Sequence, residues 1–422
     1  MRFRFAVLLL ATACAAERPV AEPVAFEALA AQPSSTDPGF ARDPGNGDAL
    51  MAWAGTAGDG WGLYFSRSAD QGTTWTTPVL VAAGQGEVSP HAESSVRLVA
   101  GPGGRVGMIW PNSIRVEGRK WPAAMIRFSR SADGGATWSP ARTLNDDTTG
   151  VPVSHQFHGA AWSGDSGLVV TWLDERGGSA LEVHHGDHST EADPTSEPDA
   201  AIYAATSTDF GASWSARNTP LWGQVCPCCR VTLARGPGGR VMSAWRRHFP
   251  GNIRDVVVAG AAPGSAPVRV NVDGWVYPGC PHTGPAMAVD SGGTIHVAWF
   301  TGKPGAAGVF YQRIGPDGTA ILQRPVGLVT GETVPTAHTA VAPMGAETLV
   351  AWDVLESGDP GIALALVGTD GVVGRPLDLK APGGHHPHLL ALQDGVALLA
   401  WTEPVGDGSR VRVVRVRADG SE

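Results

Sequence analysis

Thiol and imidazole side chains recur at one kind of position along this chain. Cys226, Cys228 and Cys229 lie in Cys-Pro-Cys-Cys-Arg, Cys280 and His282 in Cys-Pro-His, and His91, His155, His158, His338, His385, His386 and His388 occupy comparable places. Each precedes a short apolar run that leads through a turn to a tryptophan. Eight of the 13 histidines and four of the five cysteines are spent this way, which selects them for attention. Thiolate and imidazole are the soft and borderline donors that hold copper and zinc. The candidate ligands are Cys226, Cys228, Cys229, Cys280, His282, His158 and His338, with copper ahead of zinc. No local spacing matches a zinc finger, so this expectation depends on the fold bringing distant residues together. The competing expectation is disulfides: four cysteines allow three connectivities, and Cys226 or Cys229 could bridge Cys280.

The elements that would position them are visible as a repeat. Gly101-Pro102-Gly103-Gly104-Arg105-Val106 and Gly236-Pro237-Gly238-Gly239-Arg240-Val241 are the same turn, and each feeds a strand ending on Trp110 or Trp245. Looser copies end on Trp53, Trp172, Trp299, Trp352 and Trp401, at intervals of 49 to 73 residues. Such a period suits one supersecondary unit per repeat. With 56 Gly and 33 Pro the chain is too rich in turn residues for a helical bundle. We expect an all-β fold in which four-stranded units, strands a to d, repeat radially as a seven-bladed β-propeller. Residues just ahead of every strand a then meet at one mouth of the central channel, and the b–c loops add His184, His185, His188 and His248 to that face. The seventh unit ends after its c–d turn, so Val24 to Leu29 are expected to supply its outer strand. The acidic insertion Gly186 to Ala200 is expected to be a mobile loop.

Three octets share another pattern: Ser68-Ala69-Asp70-Gln71-Gly72-Thr73-Thr74-Trp75, Ser131-Ala132-Asp133-Gly134-Gly135-Ala136-Thr137-Trp138, and Ser207-Thr208-Asp209-Phe210-Gly211-Ala212-Ser213-Trp214. The short Asp accepts from amides ahead of it, Gly supplies positive φ, and Trp covers the turn. This octet resembles the Asp box, or bacterial neuraminidase repeat, of the sialidase superfamily, with Ser213 in place of Thr. The resemblance implies a propeller; sialidases have six blades, so six is the alternative count. It also implies an alternative activity, exo-sialidase or related glycoside hydrolysis, with arginines on the substrate carboxylate, a Tyr nucleophile and an acidic Asp. The positions here that could serve are Arg230, Arg246, Tyr277 and Asp174, and the partner would be a glycan. The family's Phe-Arg-Ile-Pro motif is absent, Gly39-Phe40-Ala41-Arg42-Asp43-Pro44 being the nearest approach. A third alternative is a non-catalytic propeller that binds a small ligand or protein at its mouth.

Charge and the leading residues bound the remaining possibilities. A net charge of −9 without a Lys/Arg run excludes nucleic acid as the natural partner. Met1-Arg2-Phe3-Arg4, the apolar Phe5 to Leu10, and Ala11-Thr12-Ala13-Cys14 resemble a bacterial lipoprotein signal. We expect residues 1–14 to be a signal with lipidation at Cys14, 15–36 to be a linker with the ring-closing strand, and 37–422 to be a single propeller domain. This places the protein outside the cytoplasm, in the periplasm or at the cell surface. Membrane association would come from the lipid alone, because no later stretch is long and apolar enough to span.

Overall fold

A computed structural model of the chain describes residues 18–23, 32–119, 121–147, 150–176, 200–354 and 361–419. Cys14, Val24 to Leu29, His184, His185, His188 and nearly all of the acidic insertion lie outside the described residues. Among the described residues, no helix is long and apolar enough to cross a membrane.

Seven antiparallel four-stranded sheets follow one another along the chain. Each has the order a-b-c-d from the channel outward, and the strand-b tryptophans form the seams between blades. Trp53, Trp110, Trp172, Trp245 and Trp299 are at most 1% exposed, and Trp352 and Trp401 are nearly so. Burying an indole contributes a few kcal/mol, and one is supplied per repeat. The apolar clusters that contain these rings mostly join adjacent blades, so each blade completes its core only against its neighbours.

The expected seven-blade ring is present, and its closure differs in detail from the expectation. In blade 7 the strands His385–Ala391, Val396–Val405 and Gly408–Asp419 are joined by Arg18–Pro23 as outer strand. Arg18 lies opposite Asp419 and Pro23 opposite Val414. The closing strand is therefore Arg18–Pro23, while strand a of blade 1 begins at Ser35. The sequence Arg18-Pro19-Val20-Ala21-Glu22-Pro23 looks unlike a strand because its prolines withhold two amides, which an outermost strand tolerates.

The three Asp boxes are c–d turns at the end of the blades opposite the mouth. In blade 2, Ser131 Oγ donates to Asp133 Oδ1 at 2.7 Å and accepts from the Gly135 amide at 2.8 Å. Asp133 also accepts from the Thr137 amide at 2.9 Å. The box tryptophans then reach back across a seam: Trp138 meets Phe65 edge-on with centroids 5.2 Å apart, and Trp214 meets Phe128 at 5.0 Å. Only glycine fits at the pivot, since Gly135 has φ +91° and a Cβ there would lie 2.0 Å from the Phe65 ring.

Gly135→Ala is therefore expected to cost about 3 kcal/mol or more, from backbone strain plus the clash with Phe65. Gly103→Ala, also at positive φ but facing open space, should cost only about 1 kcal/mol. Urea midpoints of the two variants check this, and equal losses would contradict the assigned role of the box.

Candidate functional site

The mouth is built by the segments that lead into each strand a. Before strand a of blade 4 (Thr232–Arg235), the Cys226 amide donates to the Arg246 carbonyl at 2.9 Å and the Cys229 amide approaches the Cys226 carbonyl at 3.5 Å. This tight turn folds Cys226, Cys228 and Cys229 inward until their sulfurs lie within 4.8 Å of one another, all at most 1% exposed. Cys226 Sγ and Cys229 Sγ are 3.2 Å apart. Cys280, from the segment leading into blade 5, packs against the same cluster. The four cysteines are free thiols, so the expected disulfides are not formed.

Two buried guanidinium groups set the electrostatics of these sulfurs. Burial alone would raise the Cys226 thiol, but hydrogen bonds from Cys228 and Cys229 and the charges of Arg254 and Arg246 outweigh it and hold it well below its ordinary value. Cys228 and Cys229 move the opposite way, pushed up by burial and by sharing protons with Cys226. Arg254 Nη1 is buried without a hydrogen-bond partner. Arg246 also fixes the shape of the cluster: it donates to the carbonyls of Arg254 (2.7 Å), Thr283 (3.1 Å) and Phe300 (2.8 Å). Thr283 is three residues beyond Cys280, so Arg246 fastens the blade 5 segment against the blade 4 cysteines.

The histidines expected to share this site form a separate group. His338 Nδ1 and its own amide both bond Asp353, each at 2.6 Å, and the His386 amide donates to the same carboxylate at 3.1 Å. The two rings stack with centroids 3.5 Å apart. Beside them Glu93, 2% exposed, accepts from Arg230 Nη1 at 2.7 Å, from the Arg230 amide at 3.2 Å and from the Gly284 amide at 2.9 Å. Burial would raise the Glu93 carboxyl, but Arg230, His338 and the two amides bring it below its usual value. His338 rises because Asp353 and Glu93 outweigh its desolvation, whereas burial and the neighbouring charges of His338 and Arg230 hold His386 well below its usual value. Glu93, His338 and His386 offer ligand atoms within 4.8 Å of one another.

His282 is exposed at φ +50° and presents only its carbonyl, which accepts from His338 Nε2 at 3.0 Å. His158 is fully buried, with Nδ1 on the Ser94 hydroxyl and Nε2 on the Ile109 carbonyl, both 3.2 Å. Burial and Arg97 push it down to about 3, a neutral structural ring. Neither histidine falls in a ligand grouping among the described residues. Glu93, Asp353 and Arg97 escaped the sequence reading, whose metal candidates were sulfur and imidazole alone; Asp353 had a signal, directly following a strand-b tryptophan.

The positions that the sialidase resemblance suggests each have partners within the protein. Arg230 is held by Glu93 and donates to the Thr339 carbonyl at 2.7 Å. Arg246 is enclosed by backbone carbonyls. Tyr277 lies half-buried against Trp275, and its carbonyl accepts from Arg254. Asp174, fully buried, accepts from Trp172 Nε1 at 2.8 Å and from Arg176. Behind Arg230, the channel encloses about 200 Å³ lined by Arg97, Arg230, Thr232, Thr339 and His388 among apolar side chains. Arg97, desolvated and beside Arg230, is pulled down to about 10.

A third grouping joins blades 2 and 3. His155 Nε2 lies 3.1 Å from Asp147 and 3.4 Å from Asp174, with Nδ1 on the Ala124 carbonyl at 2.9 Å. Burial opposes protonation of His155, but Asp147 and Asp174 raise it above its usual value, while His155 holds Asp147 well below the carboxylate range. The pair stabilises the fold above the ordinary carboxylate range and below the raised His155 value; its contribution fades as pH rises through that value. His155→Gln should therefore destabilise most near about pH 5.5 and progressively less towards about pH 9. Urea midpoints across pH test this, and a pH-independent loss would contradict it.

No known protein-family model matches this sequence, and no curated protein matches it. Solved structures resemble it at low identity. The α-L-arabinofuranosidase arb93a of Fusarium graminearum is 13% identical over 91% of this chain and 93% of that one, with a TM-score of 0.48. The sialidase of Trypanosoma rangeli is 10% identical over 82% of this chain and 56% of that one, with a TM-score of 0.47. The polysaccharide lyase Uly1 is 11% identical over 92% of this chain and 90% of that one, with a TM-score of 0.50. Likeness at this level is one of architecture, and sites must be argued from their own residues. The chain is an all-β, seven-bladed β-propeller.

Proposed function

We propose that this propeller is an extracytoplasmic metal-binding protein, anchored through lipid at Cys14, whose blade 4 and blade 5 cysteines hold a thiolate-bound transition metal. The observation that carries this reading is the packing of Cys226, Cys228 and Cys229 within 4.8 Å, with Cys280 against them and two guanidinium groups nearby. A buried thiolate cluster is untenable without positive charge. Three thiolates around Cu(I), or four around Zn(II), each leave a charge of about −2, which Arg246 and Arg254 together balance. Copper comes first because three clustered thiolates already satisfy Cu(I), whereas zinc needs Cys280 drawn fully into the shell. His158, His282 and His338 are not needed.

A glycoside hydrolase or other glycan-binding role is the second reading, supported by the fold that this chain shares with such enzymes. It ranks lower because Arg230, Arg246 and Asp174 spend their hydrogen-bonding groups within the protein. A simple binding propeller, with a small ligand in the channel, requires no chemistry beyond Arg97 and Arg230.

Elemental analysis of protein purified without chelator should find about one copper or zinc per chain more than in the variant with Cys226, Cys228, Cys229 and Cys280 changed to Ser. Cu(I) should also raise the melting temperature of the parent protein and leave that of the variant unchanged. Equal metal in parent and variant would overturn the proposal.

A further inference from the structure

The mouth holds a second constellation whose construction the cysteine site does not explain. Asp353, 1% exposed, accepts three hydrogen bonds, and all three come from His338 and His386. One fully buried carboxylate thus fixes one histidine ring and the backbone of both. With Nδ1 of His338 turned to Asp353, Nε2 remains as its ligand atom. This carboxylate–imidazole order is the one that orients metal-bound histidines. His386 directs Nδ1 to His385 at 3.0 Å, which leaves Nε2 facing Glu93 Oε1 at 3.8 Å. Two donors bound to one cation stand about 3 to 4 Å apart, so that gap suits a shared ion.

The backbone carries the same signature. Strand a of blade 7 begins with a bulge between His385 and His388, and His386 sits in it at φ +52°. A β-bulge re-aims a side chain at a local cost in strain, which histidine bears less readily than glycine. The equivalent bulges in blades 1 and 3 carry Asp37 and Phe157 at φ +53° and +56°. The device is therefore part of the repeat, and in blade 7 it presents an imidazole to Glu93.

We infer that Glu93, His338 and His386 form a second metal site, separate from the cysteines, for a divalent first-row ion bound by one carboxylate and two imidazoles. This donor set is harder than the thiolate cluster and suits zinc, iron(II) or cobalt(II) rather than copper(I). His338 Nε2 donates its proton to the His282 carbonyl; the ion replaces that proton and releases it to solvent. Arg230 stays on Glu93 and balances its charge, and the ion offsets the charge of Asp353. The inference is independent of the thiolate site.

Cobalt(II) is the probe, because thiolate ligation gives an intense sulfur-to-metal charge-transfer band that nitrogen and oxygen ligands lack. The Cys226/Cys228/Cys229/Cys280→Ser variant of the full chain should bind about one Co(II) without that band. Adding His386→Asn, which keeps the left-handed backbone, should weaken binding about 100-fold, and adding Asp353→Asn about 10- to 100-fold. If the four-serine variant does not fold, His386→Asn alone in the parent should lower the Co(II) stoichiometry by about one and leave the charge-transfer band unchanged. A folded four-serine variant that binds no Co(II), or His386→Asn with unaltered stoichiometry and affinity, would overturn the inference.

Discussion

The buried pair of Glu93 and Arg230 is the interaction on which the mouth depends. Two charges taken out of water cost several kcal/mol each unless their remaining groups are satisfied. Here they are: Glu93 also receives the Arg230 and Gly284 amides, and Arg230 also reaches the Thr339 carbonyl. Those bonds tie blade 2, which supplies Glu93, to blades 4, 5 and 6. Gly284 permits the contact, because a Cβ there would fall 2.5 Å from Arg230. Cys229 immediately precedes Arg230, and His386 lies beside Glu93, so this pair fixes the position of both candidate centres. Removing one partner would strand a buried charge, which makes the joint rigid.

Around that joint the propeller solves an electrostatic problem with backbone. Arg246 is 1% exposed and, among the described residues, pairs with no carboxylate; carbonyls of blades 4 and 5 take its donors instead. Its charge is therefore not neutralised by an acid and remains available to the sulfurs. Arg254, with an unpartnered nitrogen, adds to it. Beside these two cations Cys226 gives up its proton most readily, while Cys228 and Cys229 hold theirs until a metal displaces them. The glycosidase-like arginines of the sequence reading thus acquire a different use: Arg246 positions the Cys280 segment and polarises the thiols, and Arg230 anchors Glu93.

Much of this was legible in the sequence, and what escaped it has a physical cause. The tryptophan period, the Gly-Pro-Gly-Gly turn and the three Asp boxes encode local geometry, so they announced seven blades, their seams and their two ends. The phase of the cysteines and histidines gave the correct face. Phase along a repeat, however, says nothing of depth or direction, and one extra residue in a bulge turns a side chain to the other side of a strand. That is why His158 is a buried structural ring although it lies in phase with the others, and why the expected single ring of ligands divides into a sulfur group and an imidazole group. The closing strand was misplaced by a few residues because the prolines of Arg18–Pro23 disguise an outer strand, whose pairing is set by the free edge of Gly408–Asp419 rather than by its own propensity.

The central claim is that four sulfurs held by Arg246 and Arg254 constitute a metal centre. X-ray absorption at the edge of the metal that copurifies with the His386→Asn protein, which keeps the sulfur centre alone, tests it most directly. The account predicts a scattering shell of about three or four sulfurs at roughly 2.3 Å, or somewhat shorter for three-coordinate copper, with no nitrogen shell of comparable weight. A shell of nitrogen and oxygen alone, or sulfurs paired with one another and no metal bound, would contradict it.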